Sequence, residues 1–421
     1  MTIVGGMDVH RGQITFDYLR TETGEVVRGR IAPADRPHLA SWLSRLGDEP
    51  ASFALEGCTG WRYVVEELHA AGMDAHVAEP AETAGQRGPK RRAKTDREDA
   101  RHLRELLQGD RLAESWIPPT HVLEARARVR LYKDLLDERT AWAQRIQATL
   151  FHQGVPVVGS LREADARAQL ASQPLSPAGA QAVTVARRQI DAINADLEPL
   201  KAEITRFSRR QLGCRALQAH YGIGPFFSVA IWAEMGDARR FSSSADAVRH
   251  TGLDVSVWSS DRKRAKGHLA RQGPSVLRWS LYEAAQCAAR PASPDHAYYL
   301  QVRDRLGHQR AALSVARKLA RRCHHTLRAL GDAAWEAVDE KGTGCNQPND
   351  EMTCGQLPEP ERCHEPALDS LQRMSGRNLR GDDPINHHVT GARSEHRDKS
   401  GRPHTGSSPS RRPKPEEAAM S

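Results

Sequence analysis

Residues 1 to about 110 alternate between short apolar runs and helical repeats of apolar positions. Apolar runs and two-residue alternation predict strands at 3–9, 13–19, 25–32, 51–56 and 74–78. Apolar positions three and four apart predict helices at about 36–46, 61–71 and 96–107. The element order βββαβαβα predicts an α/β domain that begins with an antiparallel meander.

Two long amphipathic patterns follow, at about 121–153 and 179–207, with charged residues on the positions that the apolar stripe leaves free. They predict a helical hairpin or coiled-coil arm, and a plain bundle spacer explains the pattern equally well. Residues 212–330 predict a mostly helical unit. From about residue 342 the chain is too poor in large apolar residues to offset its conformational entropy, which predicts a disordered tail.

These patterns divide the chain into four parts. The expected boundaries are an α/β domain at 1–118, a helical or coiled-coil arm at 119–210, a mostly α domain at 211–335 and a disordered tail at 336–421. The order of elements in the first part is that of ribonuclease H-like folds, in which one metal site is assembled from distant positions. It would place Asp8 in mid-sheet, Glu56 at the end of a neighbouring strand, and a helix beginning at Asp96 alongside.

Composition narrows the classes of function only moderately. The net charge of +8, from 61 Lys and Arg against 53 Asp and Glu, suits a polyanionic partner but is common among soluble proteins. Seven cysteines, an odd number without paired short spacing, predict reduced thiols in a cytoplasmic protein. No apolar stretch reaches the roughly 18 residues that a bilayer-spanning helix needs, so we expect no membrane partner.

Four acidic residues carry the candidate chemistry: Asp8, Glu56, Asp96 and Asp99. Asp8 interrupts an apolar strand, where a carboxylate without a partner is costly. Asp96 and Asp99 are three apart on a predicted helix and therefore share a face. Crowded carboxylates repel one another unless a hard cation neutralises them, so the set predicts a site for Mg²⁺, or Mn²⁺, that acts on phosphates. The alternative is four ordinary surface acids.

Basic and glycine-rich segments predict contacts with nucleic acid. The residues expected to bind phosphate are Arg91, Arg92 and Lys94 before the acidic helix, Gly222 and Gly224 between two helices, and Arg262, Lys263, Arg264 and Lys266. Ser260 adjoins the last group, where a serine can attack a phosphodiester while cations stabilise the developing charge. The alternatives are a tight turn at the glycines and a passive hydroxyl at the serine.

Taken together, these motifs resemble one known family, the DEDD transposases of the insertion-sequence one-ten family. The matching segments are Gly6-Met7-Asp8-Val9-His10, Leu55-Glu56-Gly57-Cys58-Thr59-Gly60, Lys94-Thr95-Asp96-Arg97-Glu98-Asp99-Ala100, Gly222-Ile223-Gly224-Pro225 with Ala233-Glu234-Met235-Gly236-Asp237, and Gly252-Leu253 with Ser260 and Gly267. They occur in the family's order and cover about residues 1 to 290.

The resemblance implies a ribonuclease H-like catalytic domain, a coiled-coil arm and a smaller C-terminal transposase domain. It implies that Asp8, Glu56, Asp96 and Asp99 bind divalent metal and that Ser260 forms a covalent phosphoserine link to DNA. Ser259 adjoins Ser260 in this chain and is the alternative nucleophile. It further implies a homo-oligomer, a dimer or tetramer, in which one subunit's serine completes another's acidic site. A structured guide RNA would pair with the DNA.

We therefore predict a DNA transposase that cuts and rejoins DNA to move its insertion sequence. One alternative is a metal-dependent junction nuclease in which water attacks and no covalent intermediate forms. A second alternative, from another class, is an inactive relic that only binds nucleic acid.

Overall fold

The computed structural model describes residues 3–86, 95–155, 170, 172–256, 259–260, 263–264 and 267–337. For residues 256, 259–260 and 263–264 it describes the backbone alone. The predicted tail lies outside the described residues, apart from its first two positions. No helix in the described part of the chain combines the length and apolarity that crossing a bilayer requires.

A six-stranded sheet forms the N-terminal part. Its strands are β1 Ile3–Val9, β2 Ile14–Arg20, β3 Val26–Ile31, β4 Ala51–Glu56, β5 Asp74–Ala78 and β6 Glu114–Ser115. The strand order is β3-β2-β1-β4-β5-β6. The first three strands form the predicted antiparallel meander, and β4 and β5 run parallel to β1. The predicted α/β domain is confirmed, and the two-residue edge strand β6 is an element that the sequence pattern missed.

Helices cover both faces of the sheet. They are α1 Arg36–Leu43, α2 Trp61–Ala70, α3 Pro80–Gly85 and α4 Asp96–Gln108. One face carries the large apolar side chains, including Met7 and Phe53, which form a core with α1 and α2. The opposite face carries small residues such as Gly6, Ala54 and Ala78, because α4 lies directly against it.

The contact between α4 and β1 leaves no room for a side chain at Gly6. A Cβ atom at this position would lie 2.1 Å from the carbonyl oxygen of Ala100 and 2.6 Å from the backbone nitrogen of Arg104. Backbone therefore meets backbone, which only glycine allows. The register and height of α4 over the sheet are fixed by this approach.

A buried ion pair fixes the same helix from a second direction. Arg104 donates from Nε to Asp17 on β2 over 2.5 Å, and both side chains are almost fully buried. Arg28 on β3 donates to the other carboxylate oxygen over 2.6 Å. Because Asp17 is opposite Gly6 in the β1–β2 register, the ion pair lies beside the close contact. Removing Asp17 would take this carboxylate away from the buried guanidinium of Arg104, and breaking a buried ion pair in this way costs about 3–5 kcal/mol.

The predicted helical hairpin is observed. Helix α5, Thr120–His152, and helix α6, Pro177–Arg210, pack antiparallel over most of their length. Polar contacts link them from base to tip, as between Arg128 and Glu203 and between Arg139 and Asn194. Near the tip, apolar residues of both helices form a small core of their own. The connection between the two helices lies largely outside the described residues.

The third part is mostly helical, as predicted. Its helices are α7 Leu212–Leu217, α8 Pro225–Met235, α9 Ser244–Thr251, α10 Ser275–Gln286, α11 His296–Leu306 and α12 His308–Leu330. Helix α8 is apolar on all sides except for Ser228 and Glu234, and every residue from Phe226 to Met235 is buried, as expected of a central core helix. Its Glu234, 1% exposed, accepts a bidentate pair of hydrogen bonds from Arg130 of α5 over 2.6 and 2.8 Å.

A tryptophan connects the edge of the sheet to this helical part. Trp116 follows β6 directly and packs on Gly236, where an added Cβ would lie 2.4 Å from its ring. The guanidinium groups of Arg126 and Arg240 lie 5.5 and 5.8 Å from the ring centre, distances typical of cation–π contacts. The two parts are therefore joined by a packed aromatic contact as well as by the chain.

The segment around the candidate serine contains short strands. Val255–Ser256 pairs with His268–Leu269, and Ser259–Ser260 pairs with Lys263–Arg264.

We expect Gly6→Ala to destabilise the protein by about 1–3 kcal/mol, because the added methyl group would force α4 away from β1. Gly12→Ala is the matched control, since nothing lies within 4 Å of a Cβ atom at that exposed position. Urea unfolding monitored by circular dichroism measures both variants. Equal midpoints for the two would contradict the close contact.

Candidate functional site

Parallel pairing brings two of the predicted acids together. The β1–β4 register pairs Met7 with Leu55, so the next residues, Asp8 and Glu56, are side by side at the ends of their strands. Successive side chains in a strand point to opposite faces of the sheet. Asp8 and Glu56 therefore point to the face opposite to that of Met7 and Leu55. That face is the one covered by α4.

Helix α4 brings the other two acids to the same place. Asp96 is its first residue, and the hydroxyl of Thr95 caps the helix by accepting a hydrogen bond from the backbone of Glu98. Asp99 immediately precedes Ala100, the residue that touches Gly6. Because Asp8 lies two residues beyond Gly6 on the same face of β1, the first turn of α4 lies next to Asp8.

Distances between side chains define a compact group. Oδ2 of Asp8 lies 3.0 Å from Nε2 of His10, and Oδ1 of Asp96 lies 3.7 Å from the same nitrogen. Gln13 donates from its side-chain amide to the other oxygen of Asp96 over 3.2 Å. One ligand atom from each of Asp8, His10 and Asp96 lies within 4.8 Å of the others, a spacing that a single metal ion can bridge.

His10 and Gln13 were not among the predicted site residues. Both belong to the tight turn between β1 and β2, closed by a backbone hydrogen bond from His10 to Gln13 over 3.0 Å. The signal that could have identified His10 is its spacing, since it follows Asp8 by two residues and so shares its side of the strand. Nothing in the local sequence indicates that Gln13 reaches Asp96, which is 83 residues away.

The electrostatics of the group favour a cation. Burial raises the pKa of Asp8 above its usual value, and the neighbouring charges of Asp99 and Asp96 raise it further, while His10 opposes the shift. Burial and like charges make the ionised form of this carboxylate less stable. A bound cation would stabilise that ionised form, because it offsets the repulsion between the carboxylates. The oxygen-rich donors fit a hard divalent ion such as Mg²⁺ or Mn²⁺.

The predicted basic residues cannot be placed beside this group. Arg91, Arg92, Lys94, Arg262 and Lys266 lie outside the described residues, so their role stays a prediction. Ser260, Lys263 and Arg264 are described by their backbone alone, in the short β-ribbon.

The two predicted glycines lie between α7 and α8. Gly222 is buried, has φ of 90°, and a Cβ there would lie 2.4 Å from the carbonyl oxygen of Ala284. Gly224 occupies the N-cap of α8. Close packing alone explains the glycine at 222, and phosphate binding by this segment stays a prediction.

Comparison with known proteins identifies similar chains. A family model described as "Transposase IS116/IS110/IS902 family" matches residues 214–300, and a DEDD transposase model of the IS110 type, described as "Transposase", matches residues 5–152. The four acids lie within the match at residues 5–152, and Ser260 lies within the match at residues 214–300.

Two curated relatives resemble the chain over about half its length. A Sinorhizobium fredii protein named "Putative transposase y4rJ" is 30% identical over 244 residues, covering 52% of this chain and 60% of that protein. A Pseudomonas aeruginosa protein named "Probable family 20 transposase" is 22% identical over 250 residues, covering 57% of this chain and 72% of that protein. The match thus covers less than two thirds of the first relative.

We expect Asp8→Asn to stabilise the metal-free protein at pH 7. Because the folded state raises the pKa of Asp8, its favourable contribution is complete below the unfolded value of 3.8 and is lost as the pH rises through the folded value. The gain in melting temperature should therefore shrink as the pH falls toward 4. Thermal melts in EDTA at several pH values measure it, with exposed Asp48→Asn as the control. A loss of stability at pH 7 would contradict the raised pKa.

Proposed function

The chain belongs to the IS110 family of transposases, and we propose that it cuts and rejoins DNA to move an insertion sequence. The observation that carries this proposal is the convergence of Asp8 and Asp96 from distant positions on one side of the sheet. Glu56 and Asp99 occupy neighbouring positions on β4 and α4. The arrangement supports a single acidic site.

In this proposal three parts of the chain have distinct roles. Residues 1–118 form a ribonuclease H-like catalytic domain, supported by the observed order βββαβαβααβ and by β1 as the central strand beside β4. Residues 119–210 form the arm, and residues 211–335 form the transposase domain that carries Ser260.

The acidic site would hold Mg²⁺ or Mn²⁺ through Asp8, Glu56, Asp96 and Asp99, whose carboxylate oxygens suit hard cations. A divalent cation bound there would polarise a phosphodiester and stabilise charge on its oxygens. The protein would hold the carboxylates in fixed positions, because two of them lie at the ends of paired parallel strands and two lie on a helix in close backbone contact with β1.

Ser260 would act as the nucleophile. Its Oγ passes a proton to a carboxylate of the acidic cluster and bonds to phosphorus, while the bond from phosphorus to the leaving deoxyribose oxygen breaks. The carboxylate returns the proton to the leaving oxygen, so the product is a phosphodiester between serine and one DNA end, with a free hydroxyl on the other. Attack on that link by a deoxyribose hydroxyl reverses the exchange and rejoins strands without an external energy source.

Partners follow from the same proposal. Basic side chains would contact the phosphates of the nucleic acid, namely Arg91, Arg92, Lys94, Arg262, Lys263, Arg264 and Lys266. The glycine segment with Gly222 and Gly224 would lie near the sugar–phosphate backbone of the DNA. Pairing of Ser260 with Lys263 on adjacent strands supports this, because it places a basic position across from the serine. A structured guide RNA would supply sequence recognition, and a dimer or tetramer would bring one subunit's serine to another's acids.

The test is a strand-cleavage assay with divalent metal and a donor DNA together with its flanking non-coding RNA. We expect Asp8→Asn to lower cleavage by at least about a hundredfold. We expect Ser260→Ala to eliminate the covalent protein–DNA adduct, detected by denaturing electrophoresis. Ser259→Ala is the matched control and should retain the adduct.

Other outcomes identify the alternatives. Cleavage without any adduct, unaffected by Ser260→Ala, would indicate a nuclease that uses water. An adduct lost in Ser259→Ala instead would move the nucleophile by one residue. DNA binding that needs no metal and leads to no cleavage would indicate a binding protein without catalytic activity.

A further inference from the structure

We propose that His10 is a ligand of the same metal site and makes it prefer Mn²⁺ over Mg²⁺. This inference rests on the proposed function, since it concerns the cation held by the acidic residues. It adds a nitrogen donor to a set that was expected to consist of oxygens alone.

The first argument is position. Nε2 of His10 lies between two carboxylates from different elements, 3.0 Å from Asp8 on β1 and 3.7 Å from Asp96 on α4. A cation shared by those carboxylates would occupy the same region. A neutral imidazole with its proton on Nδ1 presents the Nε2 lone pair there, which is the form that binds metals.

The second argument is that the turn carrying His10 is tied to the site. The backbone of His10 donates to the carbonyl oxygen of Gln13, which closes the turn. The side chain of Gln13 donates to Asp96, so both ends of the turn reach the first residue of α4. A hydrogen bond to a ligating carboxylate fixes its orientation, as outer partners of metal ligands commonly do. The imidazole therefore has a defined place beside Asp96, although its side chain is 55% exposed.

The third argument is chemical preference. Mg²⁺ favours oxygen ligands and retains water, whereas first-row transition ions accept imidazole readily. Among the cations expected at a carboxylate site, Mn²⁺ combines tolerance of several carboxylates with tolerance of one nitrogen. Three or four carboxylates with one histidine therefore favour Mn²⁺.

The decisive experiment is electron spin-echo envelope modulation of one equivalent of Mn²⁺ bound to the full chain. The parent should show ¹⁴N coupling from a directly bound imidazole. His10→Ala should lose that coupling while retaining bound Mn²⁺ with affinity lower by roughly tenfold or more. His76→Ala is the matched control, because His76 on β5 pairs with Glu114 and should leave the signal unchanged.

A second variant tests selectivity. His10→Asp replaces nitrogen with oxygen at the same place and should lower the ratio of Mn²⁺ to Mg²⁺ affinity, measured by competition calorimetry. Circular dichroism confirms that each variant is folded, as the exposure of His10 leads us to expect.

The outcomes separate this inference from the one beneath it. Stoichiometric Mn²⁺ that is lost in Asp8→Asn but shows no ¹⁴N coupling in the parent would overturn the role of His10 and leave the acidic site intact. An unchanged affinity ratio in His10→Asp would do the same. A parent that binds no Mn²⁺ and no Mg²⁺ would overturn both His10 and the metal site.

Discussion

The site depends on one contact between two backbones. Helix α4 can approach β1 only because Gly6 has no side chain, and this approach brings the first turn of the helix beside Asp8. The buried pair of Arg104 and Asp17 holds the helix against sliding, since any shift along its axis would separate the buried guanidinium of Arg104 from that carboxylate. Without both constraints the carboxylates of α4 would have no fixed relation to those of the strands.

Much of the fold could be predicted because its information is local. Alternation and helical spacing located β1 to β5, α1, α2, α4 and both long helices to within a few residues. The four acids could be proposed as one site because Asp8 interrupts an apolar strand and because Asp96 and Asp99 share a helix face; their role as a site stays a prediction. Missing elements were short: β6 has two residues and α3 has six, too few for any periodicity to emerge.

The remaining features could not be predicted from the sequence, because they depend on contacts between residues far apart in the chain. The neighbours of Gly6 are about a hundred positions away, so no local pattern explains why it must be glycine. Gln13 contacts Asp96 because the turn between β1 and β2 folds toward α4, and the polar residues of that turn do not indicate this contact. The basic segment around the serine contains paired strands of only two residues each. Local composition does not distinguish strands this short from an irregular loop.

The long hairpin also has a mechanical consequence. Helix α5 has 33 residues, which at the rise of an α-helix makes it about 50 Å long. Its base is clamped by the pairing of Arg130 with Glu234, and its far end has a separate small core. For a rigid helix of this length, a tilt of a few degrees at the base would displace the tip by several ångströms.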